Sequence, residues 1–337
     1  MNFNQLYYYT GILRASLRPR RLANALKLWL SYRLSTFGIL TRWNTKPMFI
    51  SIEPVNICNL KCPECPVGVR THQVKAVNVE FETAKKVLDE LSPTLMHVIL
   101  YFQGEPLINK NFTGLVKYAH SKKLLTSTST NAQLLTDEKA RSIVESGLDR
   151  LIISMDGTTQ ETYETYRVGG KLEKAIKAIE YVVKWKKELK SASPLVEIQF
   201  IVMKTNEHQM DEMRQLAVKL QADKLTFKTA QLYDFENGNP LLTSIEKYAR
   251  YEIRSDGKYH IKSPQKNSCR RLWNGAVINS RGEVLPCCFD KDSSFVFGKM
   301  NSESFEKSWH STNAYRFRKG ILENRKQYEM CRNCSER

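Results

Sequence analysis

The first 52 residues contain no acidic side chain. Eight Lys or Arg lie between Met1 and Ile52, and Glu53 is the first carboxylate, so this segment supplies eight of a net charge of +17 over 337 residues. Cysteine is equally uneven: of eight, none falls between Cys65 and Cys269. No apolar run approaches the roughly 18 residues that suggest a membrane-spanning helix. No signal peptide is read, and clustered thiols in so long a chain speak for metal ligation over the disulfide framework of a small secreted domain. There is no internal repeat, no low-complexity tract and no recognised RNA-binding motif, which leaves nucleic acid a poor partner for the charge. Hydrophobic content of 42% and charged content of 26% are those of an ordinary globular protein with a sizeable core.

What is present is a strand–helix rhythm. Strands are expected near 49–53, 96–102, 124–130, 151–155, 196–203 and 224–229, with helices near 81–91, 112–122, 137–146, 172–190 and 207–221. Six such units predict parallel pairing in an α/β fold, an open, partial (β/α)6 barrel with its chemistry on the loops after the strand C-termini. The rhythm spans 47–232 and stops at 233–268, a turn-rich connection. The last part, 269–337, carries a hairpin over Ala276 to Leu285 turning at Ser280-Arg281-Gly282, with one or two short helices. It has few large apolar residues for its length, and a metal centre would help such a module fold.

Directly after the first strand comes Cys58-Asn59-Leu60-Lys61-Cys62-Pro63-Glu64-Cys65, a C-x3-C-x2-C spacing on one loop. Soft thiolates suit zinc or iron–sulfur clusters. A closed zinc site takes four ligands; no further Cys or His lies within a few residues, His72 being nearest. Three thiolates on a four-iron cluster leave one iron open. In this position the motif resembles that of the radical S-adenosylmethionine (SAM) superfamily. The resemblance implies that Cys58, Cys62 and Cys65 bind a [4Fe–4S] cluster and that SAM chelates the fourth iron. One electron, from a flavodoxin- or ferredoxin-type donor, then splits SAM into methionine and a deoxyadenosyl radical that abstracts hydrogen from substrate. Many members carry an aromatic residue before the third cysteine, where Glu64 stands here.

Further resemblances follow from the strand ends. Gln103-Gly104-Glu105-Pro106 is similar to the family's G-G-E motif, with Gly104 admitting close backbone approach and Glu105 accepting a hydrogen bond from SAM's ammonium. Asn131 and Ser154, at the ends of the third and fourth strands, would supply polar contacts to SAM, and Arg167 would pair with its carboxylate. Each is also an ordinary turn or surface residue taken singly.

The second cysteine set reads C-x12-G-x4-C from Cys269 through Gly282 to Cys287, then C-x2-C at Cys331 and Cys334. Four cysteines at such spacing allow a zinc-ribbon-like site. The pattern resembles the SPASM/twitch auxiliary-cluster domains, and the shorter form implies one auxiliary [4Fe–4S] cluster on Cys269, Cys287, Cys331 and Cys334. Cys288 is left over and could exchange with Cys287. The resemblance implies a radical SAM oxidoreductase or maturase, expected to dehydrogenate an alcohol- or sugar-like substrate while the auxiliary cluster accepts an electron or anchors substrate. The alternatives are peptide modification and a non-catalytic metal-binding scaffold; the substrate itself, whether small molecule, lipid-linked or peptide, is not specified. The basic segment 1–46 reads as amphipathic helices that either cap the barrel or lie on an anionic membrane surface. The chain is accordingly expected in the cytoplasm, free or peripheral on the inner face of the membrane.

Overall fold

The structure, a computed structural model, describes residues 3–41, 43–70 and 75–335. His72, the nitrogen ligand nearest the first cysteines, lies outside the described residues. Six parallel-type strands follow in chain order, β1 (Phe49–Ile52), β2 (His97–Ile99), β3 (Leu125–Thr130), β4 (Arg150–Ser154), β5 (Leu195–Val202) and β6 (Lys224–Thr229). The N-terminal helices are α1 (Phe3–Ser16) and α2 (Pro19–Ser35); α3 (Pro66–Arg70) follows the first cysteines. Helices α4 (Phe81–Leu91), α5 (Phe112–Ser121), α6 (Asp137–Glu145), α7 (Gln160–Tyr166), α8 (Leu172–Glu188) and α9 (Met210–Lys219) alternate with the strands. This is the α/β fold class expected, with the strand–helix order of the partial barrel. The chain divides into two compact units.

One unit comprises residues 1–9, 57–75 and 127–262. Here β3, β4, β5 and β6 pair in parallel, with Ser127 opposite Arg150, Arg150 opposite Leu195 and Glu197 opposite Lys224. Strand β5 is buried on nearly its whole length, as expected of a strand covered on both faces. The 233–268 segment contributes a small antiparallel hairpin, β7 (Tyr251–Ile253) and β8 (Tyr259–Ile261). Tyr251 and Ile261 are buried in one cluster with Leu60, Cys62, Tyr166, Met203 and Leu232, so this hairpin helps enclose the first cysteine loop. Phe235 stacks on Tyr251 at 4.2 Å between ring centroids.

The other unit comprises residues 10–56, 76–126 and 263–337. Strand β1 pairs in parallel with β2 on one side and with β9 (Gly275–Ile278) on the other. The predicted hairpin is present: β9 runs antiparallel to β10 (Glu283–Leu285), with Gly282 at φ +75° in the turn, and β10 pairs with β11 (Gly298–Lys299). At Gly275 a Cβ would lie 2.2 Å from the Phe49 ring, so only glycine lets β9 approach β1 here. Short helices α10 (Arg270–Asn274), α11 (Phe305–Trp309), α12 (Thr312–Asn324) and α13 (Glu329–Arg332) complete the unit. The C-terminal part is richer in core than its composition suggested. Phe317 packs against Phe295 and Tyr328 with centroids at 4.9 and 4.6 Å, and Phe305 and Trp309 are fully buried.

Candidate functional site

The loop between β1 and α3 carries Cys58, Cys62 and Cys65. All are free thiols; Cys62 is buried and the other two are partly exposed. Backbone bonds fold the loop into a tight turn: the Cys65 N–H donates to Cys62 O at 3.1 Å, and the Val69 N–H donates to Cys65 O at 3.0 Å. Gly68 permits the closure, because a Cβ there would sit 2.7 Å from both the N and O of Cys62. From the other side, Lys61 N–H donates to Val168 O at 3.1 Å, tying the loop to the segment after α7.

Polar groups surround the sulfurs. Asn131 Nδ2 lies 3.5 Å from Cys58 Sγ and donates to Asn59 Oδ1 at 2.9 Å. The Leu60 N–H lies 3.5 Å from the same sulfur. Arg167 Nη1 is 4.0 Å from Cys62 Sγ, while its Nε donates to Asp156 Oδ2 at 2.6 Å. Asp156 is fully buried, and its second oxygen accepts from the Ile201 N–H at 2.6 Å. Burial pushes the Asp156 carboxyl up, opposed by Arg167 and Ile201. Burial also opposes the Arg167 charge, yet Asp156 and the neighbouring Cys62 outweigh it and hold the guanidinium firmly protonated. Gly157 and Gly170 pack α7 tightly beneath this pair; a Cβ on either would lie within 2.8 Å of Tyr163.

Of the residues singled out from sequence, Asn131 and Arg167 thus gather on the cysteine loop, whereas Ser154 reaches Ser129 across the strand at 3.5 Å. Glu64, the departure from the aromatic pattern, accepts from Tyr233 N–H at 2.9 Å and Asn239 Nδ2 at 3.1 Å, fastening the loop to the chain beyond β6. Asp156 was missed as a site residue; a lone acid following the apolar run LIISM was the available signal.

Gly104 and Glu105 belong to the other unit, at the end of β2. Both are buried, and Glu105 Oε1 accepts from Leu107 N–H at 3.1 Å, capping the turn Pro106–Ile108. In the same unit Glu53 is 3% exposed and accepts from Ser280 N–H at 3.0 Å, and burial raises its carboxyl.

The second cysteine set lies wholly in that unit. Cys269 precedes α10, Cys287 and Cys288 follow β10, and Cys331 and Cys334 sit in and after α13, all free thiols. Burial and the neighbouring Cys288, Cys269 and Cys331 raise the Cys287 thiol; burial together with Cys269 and Cys334 pushes Cys331 up to about 12. The Cys288 sulfur is instead 2.9 Å from Arg271 Nη1, and Cys287 Sγ receives the Phe289 N–H at 3.4 Å. Arg325, 1% exposed, lies against Cys331, Cys269 and Cys334. Gln265 Nε2 donates to the carbonyls of Cys331 and Arg332, holding the last cysteine turn.

Both donor sets fit iron–sulfur chemistry. The thiols are free, and their loops present N–H donors and cations to sulfur.

Comparison with known proteins agrees. The profile of the radical SAM superfamily matches residues 52–217, and that of the SPASM iron–sulfur cluster-binding domain matches 269–335. The chain is 29% identical over 272 residues to a PqqA peptide cyclase of Bradyrhizobium diazoefficiens, covering 75% of this chain and 67% of that protein. It is 26% identical to the tungsten-containing aldehyde ferredoxin oxidoreductase cofactor-modifying protein of Pyrococcus furiosus, covering 86% and 87%. Among solved structures, Streptococcus suis SuiB bound to precursor peptide SuiA superposes with a TM-score of 0.62 at 17% identity, over 93% of this chain and 74% of that one. The chain belongs to the radical SAM superfamily, with a C-terminal SPASM domain, and its cofactors are SAM, a [4Fe–4S] cluster and auxiliary iron–sulfur.

Proposed function

We propose that this radical SAM enzyme is a maturase that modifies a peptide substrate, with Cys58, Cys62 and Cys65 holding the SAM-binding cluster and Cys269, Cys287, Cys331 and Cys334 an auxiliary one. The observation that carries the reading is the peptide-cyclase relative, which aligns over three quarters of the chain. The alcohol or sugar dehydrogenation suggested by the sequence is less well supported, since the relatives named above are a peptide cyclase and a cofactor-modifying protein.

When bound, the first cluster with SAM supplies a radical that takes a hydrogen atom from carbon, and the auxiliary cluster an electron acceptor or substrate anchor. The chain's own part is positional. The partly exposed Cys58 and Cys65 leave one face of the loop open to a ligand. Asn131 and Arg167 direct N–H groups at sulfur and fix the loop, and at Cys62 the Arg167 charge opposes the burial that pushes the thiol up. Asp156 holds the Arg167 side chain in one orientation, and Glu64 closes the loop against residues 233–239. Glu105 is retained as a proposed contact of SAM's ammonium on the resemblance of Gln103-Gly104-Glu105-Pro106 to the family motif alone.

The test is anaerobic reconstitution with iron and sulfide, then reaction with dithionite, SAM and short peptides encoded beside the gene, followed by mass spectrometry. Deoxyadenosine together with a peptide lighter by two hydrogens per cross-link supports the reading. Deoxyadenosine formed equally with and without every peptide, and no change in peptide mass, refutes the peptide part while leaving the radical SAM assignment intact.

A further inference from the structure

Helix α2 is built inside out. Its inward stripe is Arg21, Asn24, Leu28, Ser31 and Ser35, at helical spacing, so four of the five buried positions are polar. These residues are bonded within their unit. Arg21 donates to Ala15 O at 2.8 Å, Lys123 O at 3.0 Å and Ser92 O at 3.1 Å. Asn24 donates to Lys46 O at 2.7 Å and accepts from Lys46 N–H, and Ser31 meets Thr41 at 2.6 Å. The outward stripe is apolar: Leu22, Leu26, Trp29 and Leu30, with Leu26 58% and Trp29 50% exposed. In the flanking segments of the chain Leu13, Leu17, Ile39 and Trp43 are exposed as well, and Phe37 is 75% exposed. Exposed among them are Arg14, Arg18, Arg20, Lys27 and Arg33.

So concentrated an apolar surface marks an interaction site, and the charge decides its occupant. With no acid anywhere in residues 1–52, a second copy placed on this face would set five cations against five. Nucleic acid would satisfy the cations and leave the leucines in water. A bilayer with anionic headgroups meets both demands: Leu, Phe and Trp enter the headgroup–acyl boundary while Arg and Lys bind phosphate. No described helix is long and apolar enough to cross a membrane. We propose that residues 10–41 together with Trp43 form a peripheral docking face for an anionic lipid surface, with α2 lying in its plane. The inverted burial is the device: polar side chains fasten the helix to the protein so that its apolar side stays free for lipid.

The reconstituted full-length enzyme is sedimented with vesicles of pure phosphatidylcholine and of phosphatidylcholine mixed with phosphatidylglycerol, at low and high salt. Binding is expected to the anionic vesicles and to weaken with salt. The triple variant Arg20→Glu, Lys27→Glu, Arg33→Glu is expected to bind more weakly by at least on the order of 100-fold, from the loss of three surface cations and the added repulsion of three carboxylates. Leu26→Ser with Trp29→Ser is expected to weaken it by roughly tenfold or more through lost apolar insertion. Deoxyadenosine formation without lipid and the thermal midpoint should be unchanged in both, since these side chains are exposed. Absence of sedimentation at low salt overturns the proposal. So does a lipid-free dimer that the serine pair dissolves, which would make a second copy the occupant. Vesicle binding indifferent to the serine pair, matched by equal affinity for polyglutamate or duplex DNA, overturns it as well by showing plain charge attraction.

Discussion

The two cysteine sites reach the same ligand chemistry by opposite routes. The first takes its three thiols from eight consecutive residues, Cys58 to Cys65, and leaves two of them partly exposed. The second collects sulfur from Cys269 to Cys334 across a hairpin and two short helices, with Cys331 and Cys334 buried. An open site on a single loop suits a cluster that must receive another ligand. A site whose thiols come from distant segments, two of them buried and two partly exposed, suits a cluster whose binding also holds the module together. The polar surroundings differ accordingly: Asn131 reaches the first site from the end of β3 and Arg167 from the C-terminus of α7, while Arg325 and Gln265 hold the last cysteine turn of the second.

Separate substitutions should split the two. Cys58→Ala is expected to abolish deoxyadenosine formation and about four of about eight irons. Cys331→Ala should also lose about four irons yet retain SAM cleavage, provided circular dichroism shows the fold intact. Loss of SAM cleavage in Cys331→Ala would break the distinction between an open catalytic site and a separate second one. Within the second site, Cys287→Ser should lose the auxiliary iron and Cys288→Ser should not, because the Cys288 sulfur is engaged by Arg271. Equal iron in both would mean that the two cysteines exchange.

The support beneath the first site is testable by stability. Asp156→Ala leaves Arg167 buried without its carboxylate, and removing one partner of such a pair costs about 3–5 kcal/mol. Calorimetry should show a clear fall in Tm, with Asp156→Asn falling less because the amide oxygen can still accept. Gly68→Ala should cost about 1–3 kcal/mol by forcing a Cβ against the Cys62 backbone, and lower iron content with it.

The smallest expected effect is pH-dependent. Burial works against the Glu207 carboxylate, but hydrogen bonds from Ser244, Thr243 and Lys204 outweigh it and hold its pKa near about 2. A folded-state value below the unfolded one of 4.5 gives stability that is present above pH 4.5 and is lost as pH falls toward 2. Thermal midpoints of wild type and Glu207→Gln should therefore converge over that window. A constant difference from pH 7 down to pH 2 would remove Glu207 from the account of acid sensitivity.

Much of this could be read in advance. Strands β3 to β6 fall within a residue or two of their expected positions, because β-branched and aromatic runs of strand length carry their own signal. Strand β2 is shorter than the apolar run 96–102, since β1 offers only four residues to pair with and the chain then turns toward Gly104. The hairpin over 276–285 was legible from its turn, but its parallel pairing with β1, which sets Phe49 opposite Gly275, was not. Nothing local encodes a partner more than two hundred residues away. Arg167 was read as a partner for SAM's carboxylate; the structure gives it a carboxylate of its own in Asp156.

The sequence alone determined where the thiol ligands lie: C-x3-C-x2-C after a strand, with a second thiol set downstream, points to a soft-metal centre, because thiolate softness and spacing are local properties, and the match to the radical SAM and SPASM families makes that centre iron–sulfur. Only the tertiary structure decided which side of α2 faces water, that the Cys288 sulfur meets Arg271, and that Asp156 holds Arg167 at Cys62. Those outcomes depend on burial and on contacts between segments far apart in the chain, where packing overrides what neighbouring residues prefer.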